Sequence, residues 1–524
     1  MKKQLSFLSC ILSATLVLAI FAGCQQSKPD APRPNDSAGS ANSSETQGTG
    51  YKDEIIFAPK LDFLSMDVQN NVSNLTKSVY FWVYNTLVEL DVATQEVVPA
   101  LAVSWSQVSD TVWEFKLRNG VTFHNGAGFT AEDVKFTYEM GFENSSSKSR
   151  LDTVQSVEVV DEYTVQIILK QTDMDFLYKL TDQALSILSH EAYETMPKEE
   201  AVQMGTGSYK YEEWKQGEYV SVIANDNFWG EKPKTRRIVV RNIPEAAARL
   251  IALQTGEVDI IQGPNSTDLN YIAEDPNLKL EQYPSSTIRY IDMNMTSSPF
   301  DNQLVRQAVA YGTNREEFIA AVYLGNAASV LNVMHPDNPF FHDVAGYSYD
   351  PEKAKELLAQ AGYPDGFSAT MITTQAANDV SICTLFQAQM SKIGIQIEIQ
   401  SMESAAFNKA IAPGGTYQIM ISGYSGYTFG PDSALRTPFH SSGRLNYGNV
   451  KDDYIDKTLD EAVSINDVVQ RQKIYAELEE YITNLASFYP VAVEMTDLGM
   501  NKDVEGMGLP NGAILDFRTI YIPQ

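Results

Sequence analysis

The sequence predicts an α/β protein, and three observations carry that expectation. Period-two alternation between turn signals marks strands in the first third of the chain, and helical stripes run directly into short apolar strands in the middle. The chain has 524 residues with 44% hydrophobic content, enough for about two to four domains with sizeable cores.

The elements follow in chain order. Residues 112–117 alternate as a strand, and Asn119-Gly120 is placed to turn the chain into a partner at 121–124. A second hairpin is expected from 154–160 and 164–169, turned at Asp161-Glu162, so this part of the chain is β-rich. Thr130-Ala131-Glu132-Asp133 has the form of a capping box and opens a helix through Met140. Pro244 at a first helical position, Gly256 past the end, and Ala247, Leu250, Ile251 and Leu253 between them define a helix, with a strand at 258–261 behind it. Further helices are expected at 302–311, 315–324 and 351–361, the last capped by Asp350 and stopped by Gly362. Its stripe of Ala354, Leu357, Leu358 and Ala361 is sufficiently explained as a core face.

A helix at 380–392 then feeds an alternating strand at 393–399, and 417–421 reads as another apolar strand. Directly after it comes Gly423-Tyr424-Ser425-Gly426-Tyr427-Thr428-Phe429-Gly430-Pro431. Ligands of open α/β sheets sit beyond the carboxyl ends of strands, which makes Tyr424, Tyr427 and Phe429 candidate ligand contacts. Packing of these aromatics on their own lobe is the competing explanation.

The first fifty residues read as an address. Lys2 and Lys3 precede an apolar run from Leu5 to Gly23, the charged and apolar regions of a secretory signal spanning 1–23. Phe21-Ala22-Gly23-Cys24 resembles the bacterial lipobox, with Phe21 where Leu is usual, and this implies that Cys24 is acylated (palmitate among its chains) and becomes the new N-terminus. Two or three acyl chains, at about 0.8 kcal/mol per buried methylene, hold a protein on a membrane where one does not. Residues 25–50 contain no Leu, Ile, Val, Phe, Tyr or Trp, so 24–50 is expected to be a lipidated cysteine and a disordered tether spanning about 25 to 30 Å. Of the three cysteines, Cys10 leaves with the signal, Cys24 carries lipid, and Cys383 remains as a small buried hydrophobe rather than a nucleophile.

Charge and motifs exclude other classes. The formal charge is −28, from 39 basic and 67 acidic residues, which argues against nucleic-acid binding because phosphate neutralisation needs Lys and Arg. Phosphate-binding, dinucleotide, nucleophile-elbow and zincin patterns are absent from the sequence; His190-Glu191-Ala192-Tyr193-Glu194 ends in Glu where a zincin needs His. His335 and His342 share one loop, but two loop histidines without a carboxylate cluster give no metal site. No cofactor and no enzymatic activity are expected.

Several ordered landmarks resemble the extracellular substrate-binding proteins of ABC importers, in the group that handles peptides, nickel chelates and some sugars. They include Leu101-Ala102-Val103-Ser104-Trp105, the run from Glu114 to His124, Thr130 to Val134, Gly205-Thr206-Gly207-Ser208-Tyr209-Lys210, Asn225 to Gly230, Ala252 to Ile260, Val305-Arg306-Gln307-Ala308 and Tyr349 to Leu358. The resemblance runs from about residue 53 to the C-terminus. It implies a two-lobed periplasmic-binding-protein-like fold with an additional β-rich subdomain in the first lobe: lobe one at 51–287, lobe two at 288–494 and a return to lobe one at 495–524. It also implies closure over a ligand by hinge bending, and delivery to permease and ATPase subunits by a lipid-anchored monomer on the extracytoplasmic face of the cell membrane.

In the dipeptide-binding members, the loop matching 423–432 carries an Asp for the peptide ammonium, and this sequence has Tyr427 there. The Arg those members use for the peptide carboxylate matches a region, 373–378, that holds Thr, Gln, Ala and Asn. Both ends of a short-peptide clamp are therefore missing. A longer peptide held through its main chain is ranked first, with an oligosaccharide stacked on Tyr424, Tyr427, Phe429 and Tyr80 or Trp82, a nickel chelate completed by His335 or His342, and a sensory surface lipoprotein as alternatives. Asn74 and Thr76 are further wall candidates by analogy with oligopeptide binders; an N-cap cluster for a helix through Leu87 explains them equally.

Overall fold

The computed structural model describes residues 50–69, 73–144, 147–412, 414–425, 430–511 and 514–524. The expected signal and tether, with Cys24, lie outside the described residues apart from Gly50, as do Tyr427 and Phe429.

An 11-stranded sheet runs through the body in the order 395–402, 367–374, 419–424, 278–293, 488–501, 260–262, 54–58, 237–241, 219–224, 209–215, with Ala327–Ala328 added against Phe488–Asn501. Two long strands, Leu278–Met293 and Phe488–Asn501, pair antiparallel at its centre and belong to both ends. One end of this pair lies beside Ile260–Gln262, and the other beside Ile419–Tyr424. Between them the register breaks from Pro284 to Ile288, where the proline has no amide hydrogen to give the ladder. The sheet is thus divided into two lobes that share two strands.

Burial explains the strand sequences. Phe488–Val493 is buried residue after residue, as a central strand covered on both faces must be. The edge strand Ile395–Met402 instead buries Ile395 and Ile397 alternately with exposed Gln396 and Glu398. In the first lobe Ile55, Phe57, Val79 and Trp82 pack with Leu498, Phe517 and Ile522, so the C-terminal segment completes that core. Trp82 stacks on Phe517 with centroids 5.0 Å apart, and its Nε1 donates to the Leu515 carbonyl at 2.9 Å. The second lobe covers its sheet on one face with Val309, Ile382 and Phe386, and on the other with Leu435, Tyr475 and Leu478.

A separate four-stranded antiparallel sheet in the order 102–109, 112–117, 164–169, 154–161 forms the β-rich subdomain. Its helix Ala131–Glu143 opens with the expected capping box: the Thr130 amide donates to Asp133 Oδ2 at 2.8 Å. The 154–161 and 164–169 hairpin is present, but the one expected at Asn119-Gly120 is not. Val112–Leu117 pairs with Ala102–Ser109 and Thr164–Leu169, and 121–124 forms no strand with it, holding instead an isolated bridge between Thr122 and Gly128. The alternation of Ala102–Ser109 runs mostly exposed, and so gave little apolar signal. The first helix is also shorter than expected, Asn74–Val83.

Candidate functional site

The carboxyl end of Ile419–Tyr424 meets the shared strand Leu278–Met293 at the register break, Phe367–Thr374 lies on the far side of Ile419–Tyr424, and several polar side chains converge there. Arg289 stands opposite Gly423 in the ladder, and a Cβ on Gly423 would lie 3.0 Å from Arg289 Nη1 and 2.9 Å from Thr287 Cγ2. The missing side chain at 423 is what lets the guanidinium pass. Arg289 Nη2 pairs with Asp379 Oδ1, and Thr374 Oγ1 donates to the other carboxylate oxygen at 2.7 Å. Glu494 lies 3.8 Å from Arg289 Nε and accepts from the Tyr323 hydroxyl at 3.4 Å. Thr287 and Ser425 hydroxyls meet at 2.8 Å at the rim. Arg289 is bonded to Asp379 and lies within ion-pair distance of Glu494, with Nε making no hydrogen bond, so one base stands among two acids in this floor.

The predicted site residues lie in different parts of the fold. Tyr424 is buried, and its hydroxyl reaches the Ser433 and Ala434 carbonyls at 3.1 and 3.0 Å, so the phenol ties the strand end to the helix Pro431–Phe439. Burial raises its pKa. Tyr80 is buried in the first-lobe core, its hydroxyl directed at the Ser65 and Asp67 carbonyls at 3.1 and 2.8 Å. Thr76 is buried with Oγ1 accepting from the Leu64 amide at 3.3 Å. Asn74 is exposed, and its carbonyl accepts from Ser78 Oγ. The cap of this helix is Ser73, whose Oγ accepts from the Thr76 amide.

His335 is buried with Nε2 at 2.9 Å from the Ser285 carbonyl, while His342 faces Glu480 at 3.3 Å. Cys383 is buried in the second-lobe core, where burial pushes its thiol up to about 12. That is the environment of an inert thiol. Sequence reasoning missed Arg289 and Asp379, since the partners are 90 residues apart and neither stands in a motif.

The sequence profile described as bacterial extracellular solute-binding proteins, family 5 Middle, matches residues 96–446. The chain is 31% identical to heme-binding protein A of Haemophilus influenzae over 94% of this chain and 96% of that protein. It is 29% identical to the glutathione-binding protein GsiB of Salmonella paratyphi A over 86% of this chain and 91% of that one. Among solved structures it is similar to the ABC transporter-associated periplasmic binding protein DppA from Helicobacter pylori in complex with the peptide STSA, with a TM-score of 0.77, 28% identity, and 91% and 99% of the two chains covered. These relatives are solute-binding proteins and not enzymes.

Proposed function

The chain belongs to the bacterial extracellular solute-binding proteins of family 5, and we propose that it captures an oligopeptide between its lobes, closes over it and delivers it to the permease of an ABC importer. As a member it is an extracytoplasmic substrate-binding protein of the ABC-importer class. The finer reading takes 51–287 as lobe one, 288–494 as lobe two and 495–524 as the return, with the hinge at the register break between Pro284 and Ile288. Closure follows from a ligand's greater affinity for the closed form. Ligand contacts are assigned to Tyr427 and Phe429, with Tyr424 and Tyr80 as buried supports, Asn74 and Thr76 on the first-lobe wall, and Cys24 as the lipid anchor of a monomer.

One observation carries the peptide reading. The charged groups of the floor, Arg289, Asp379 and Glu494, already have partners, and Tyr427 stands where dipeptide binders carry an acid. Such a cleft suits a ligand recognised along its main chain, as an added strand is, more than one gripped by charged ends. The test is calorimetric titration with a hexapeptide library carrying free ends and with the same library acetylated and amidated. Blocking the ends is expected to change the apparent Kd by less than about threefold, under about 0.7 kcal/mol. A loss of about thirtyfold or more on blocking would show that end clamps govern binding.

A further inference from the structure

We propose that Asp175 is a positioning residue for ligand capture: from the first lobe it caps the helix Pro431–Phe439 of the second lobe and pairs with Arg471, latching the lobes in the closed form. The inference rests on the reading that the lobes close over a ligand.

The segment carrying Asp175 belongs to the β-rich subdomain. Phe176 and Leu180 are buried in that subdomain's core, and Asp173 is held by Thr153 Oγ1 and Lys179 Nζ, both at 2.8 Å. The carboxylate nevertheless makes its contacts in the other lobe. Oδ2 accepts the Asp432 amide at 2.8 Å, and Oδ1 pairs with Arg471 Nη2, across 257 and 296 residues of sequence. Asp175 is fully buried by this contact. Backbone groups flank it: the Met174 amide donates to the Val463 carbonyl at 3.0 Å, and Ser464 Oγ donates to the Thr172 carbonyl at 3.5 Å.

The receiving side is shaped for a carboxylate. Gly430, at the N-cap of Pro431–Phe439, has φ +87°, and a Cβ there would lie 2.5 Å from Asp175 Oδ2. A residue with a side chain is therefore excluded both by backbone conformation and by space. The capping oxygen that Gly430 cannot supply to its own helix comes from Asp175, and a carboxylate at a helix N-terminus also meets the positive end of the macrodipole. Arg471 is positioned over the Phe340 ring at 5.1 Å. Asp432 is occupied by Arg436 at 2.7 Å and by the Tyr475 hydroxyl at 3.4 Å, which leaves Arg471 to Asp175.

The latch lies outside the two shared strands, so it is a second connection between the lobes and holds the ligand-free chain toward the closed form, a bias to which ligand then adds. Asp175 touches the helix that follows the candidate ligand loop, which lets it set that helix's place without touching ligand.

The test uses the full chain without ligand. Hydrogen exchange read by mass spectrometry, together with small-angle scattering, is compared for the unaltered protein, Asp175→Ala, Asp175→Asn and Arg471→Met. In Asp175→Ala, amides at 432–434 are expected to exchange at least about tenfold faster and the radius of gyration to rise. Asp175→Asn keeps most of that protection, because its amide oxygen still accepts from the Asp432 amide. Arg471→Met speeds exchange at 174–180, in the lobe it does not belong to. Exchange in Val112–Leu117 and Ile395–Met402 stays unchanged in all three variants. Unchanged exchange at 432–434 in Asp175→Ala, or an unchanged radius of gyration, would overturn the latch. If that variant fails to fold, unchanged exchange at 174–180 in Arg471→Met does so. Because no ligand is used, these outcomes are independent of whether the ligand is a peptide.

Discussion

Gly207→Ala is expected to lower the stability of the folded body by about 3 kcal/mol or more, and Gly205→Ala by a similar amount, as measured by urea unfolding. A Cβ on Gly207 would stand 2.4 Å from the Trp82 carbonyl oxygen and 2.4 Å from the Val83 carbonyl carbon, and one on Gly205 would stand 2.1 Å from the Val83 oxygen. These are backbone atoms, which cannot swing aside as a long side chain does. Relief would require separating the two segments and breaking the bonds between them. The Gly207 amide donates to Val83 O at 2.9 Å, the Gly207 carbonyl accepts from Asn225 Nδ2 at 3.0 Å, and the His124 amide donates to Gly205 O at 2.9 Å. Thr206 Oγ1 and Trp229 Nε1 both donate to Asn85 Oδ1, at 3.0 and 3.3 Å. Gly128 provides the control, because a Cβ there meets nothing within 4 Å; Gly128→Ala should stay within about 0.5 kcal/mol. A loss below about 1 kcal/mol in Gly207→Ala would mean that the two segments do not approach as described.

Cys24→Ser is expected to move the protein from the membrane fraction to the soluble fraction, or to leave it unprocessed with its signal attached. On the proposed lipid-anchor reading the Cys24 thiol is the group that takes the lipid, and a hydroxyl does not replace it. Membrane binding by two or three chains is far stronger than by one, so loss of the modification should be close to all-or-none in fractionation. Among the described residues no helix is long and apolar enough to cross a membrane. A processed Cys24→Ser protein that stays with the membrane would rule out lipid anchoring at this residue.

Local structure was legible in the sequence to the extent that its signals were local. The capping box at Thr130 and Asp133, the Asp350 cap with Pro351 behind it, and the stripe of Ala354, Leu357 and Leu358 all stand where the spacing placed them. The long strand Leu278–Met293 was not legible, because the alternation of Leu278-Lys279-Leu280-Glu281 breaks at Gln282 and Pro284, and its pairing is fixed by Phe488–Asn501 far along the chain. Asn119-Gly120 misled for a related reason: the turn signal is real, but Val112–Leu117 had better partners in Ala102–Ser109 and Thr164–Leu169.

Aromatic residues near strand ends could be read from the sequence, whereas their burial could not. Tyr80 and Tyr424 look like stacking surfaces in one dimension and prove to be buried phenols bonded to backbone carbonyls. The pairs Arg289–Asp379 and Asp175–Arg471 join residues 90 and 296 apart and belong to no spacing rule. The landmark glycines at 205 and 207 were recognisable, and their physical reason, close approach to the backbone at 82–83, needed the fold.

The central claim, capture of an oligopeptide, is tested most directly by a thermal-shift screen of the full chain against peptides of two to eight residues, oligosaccharides, nickel complexes, glutathione and heme. A bound peptide at 100 times its dissociation constant should add about 2.7 kcal/mol to the folded state and raise the transition accordingly. A shift with a sugar, a nickel complex or heme, and with no peptide, would contradict the account.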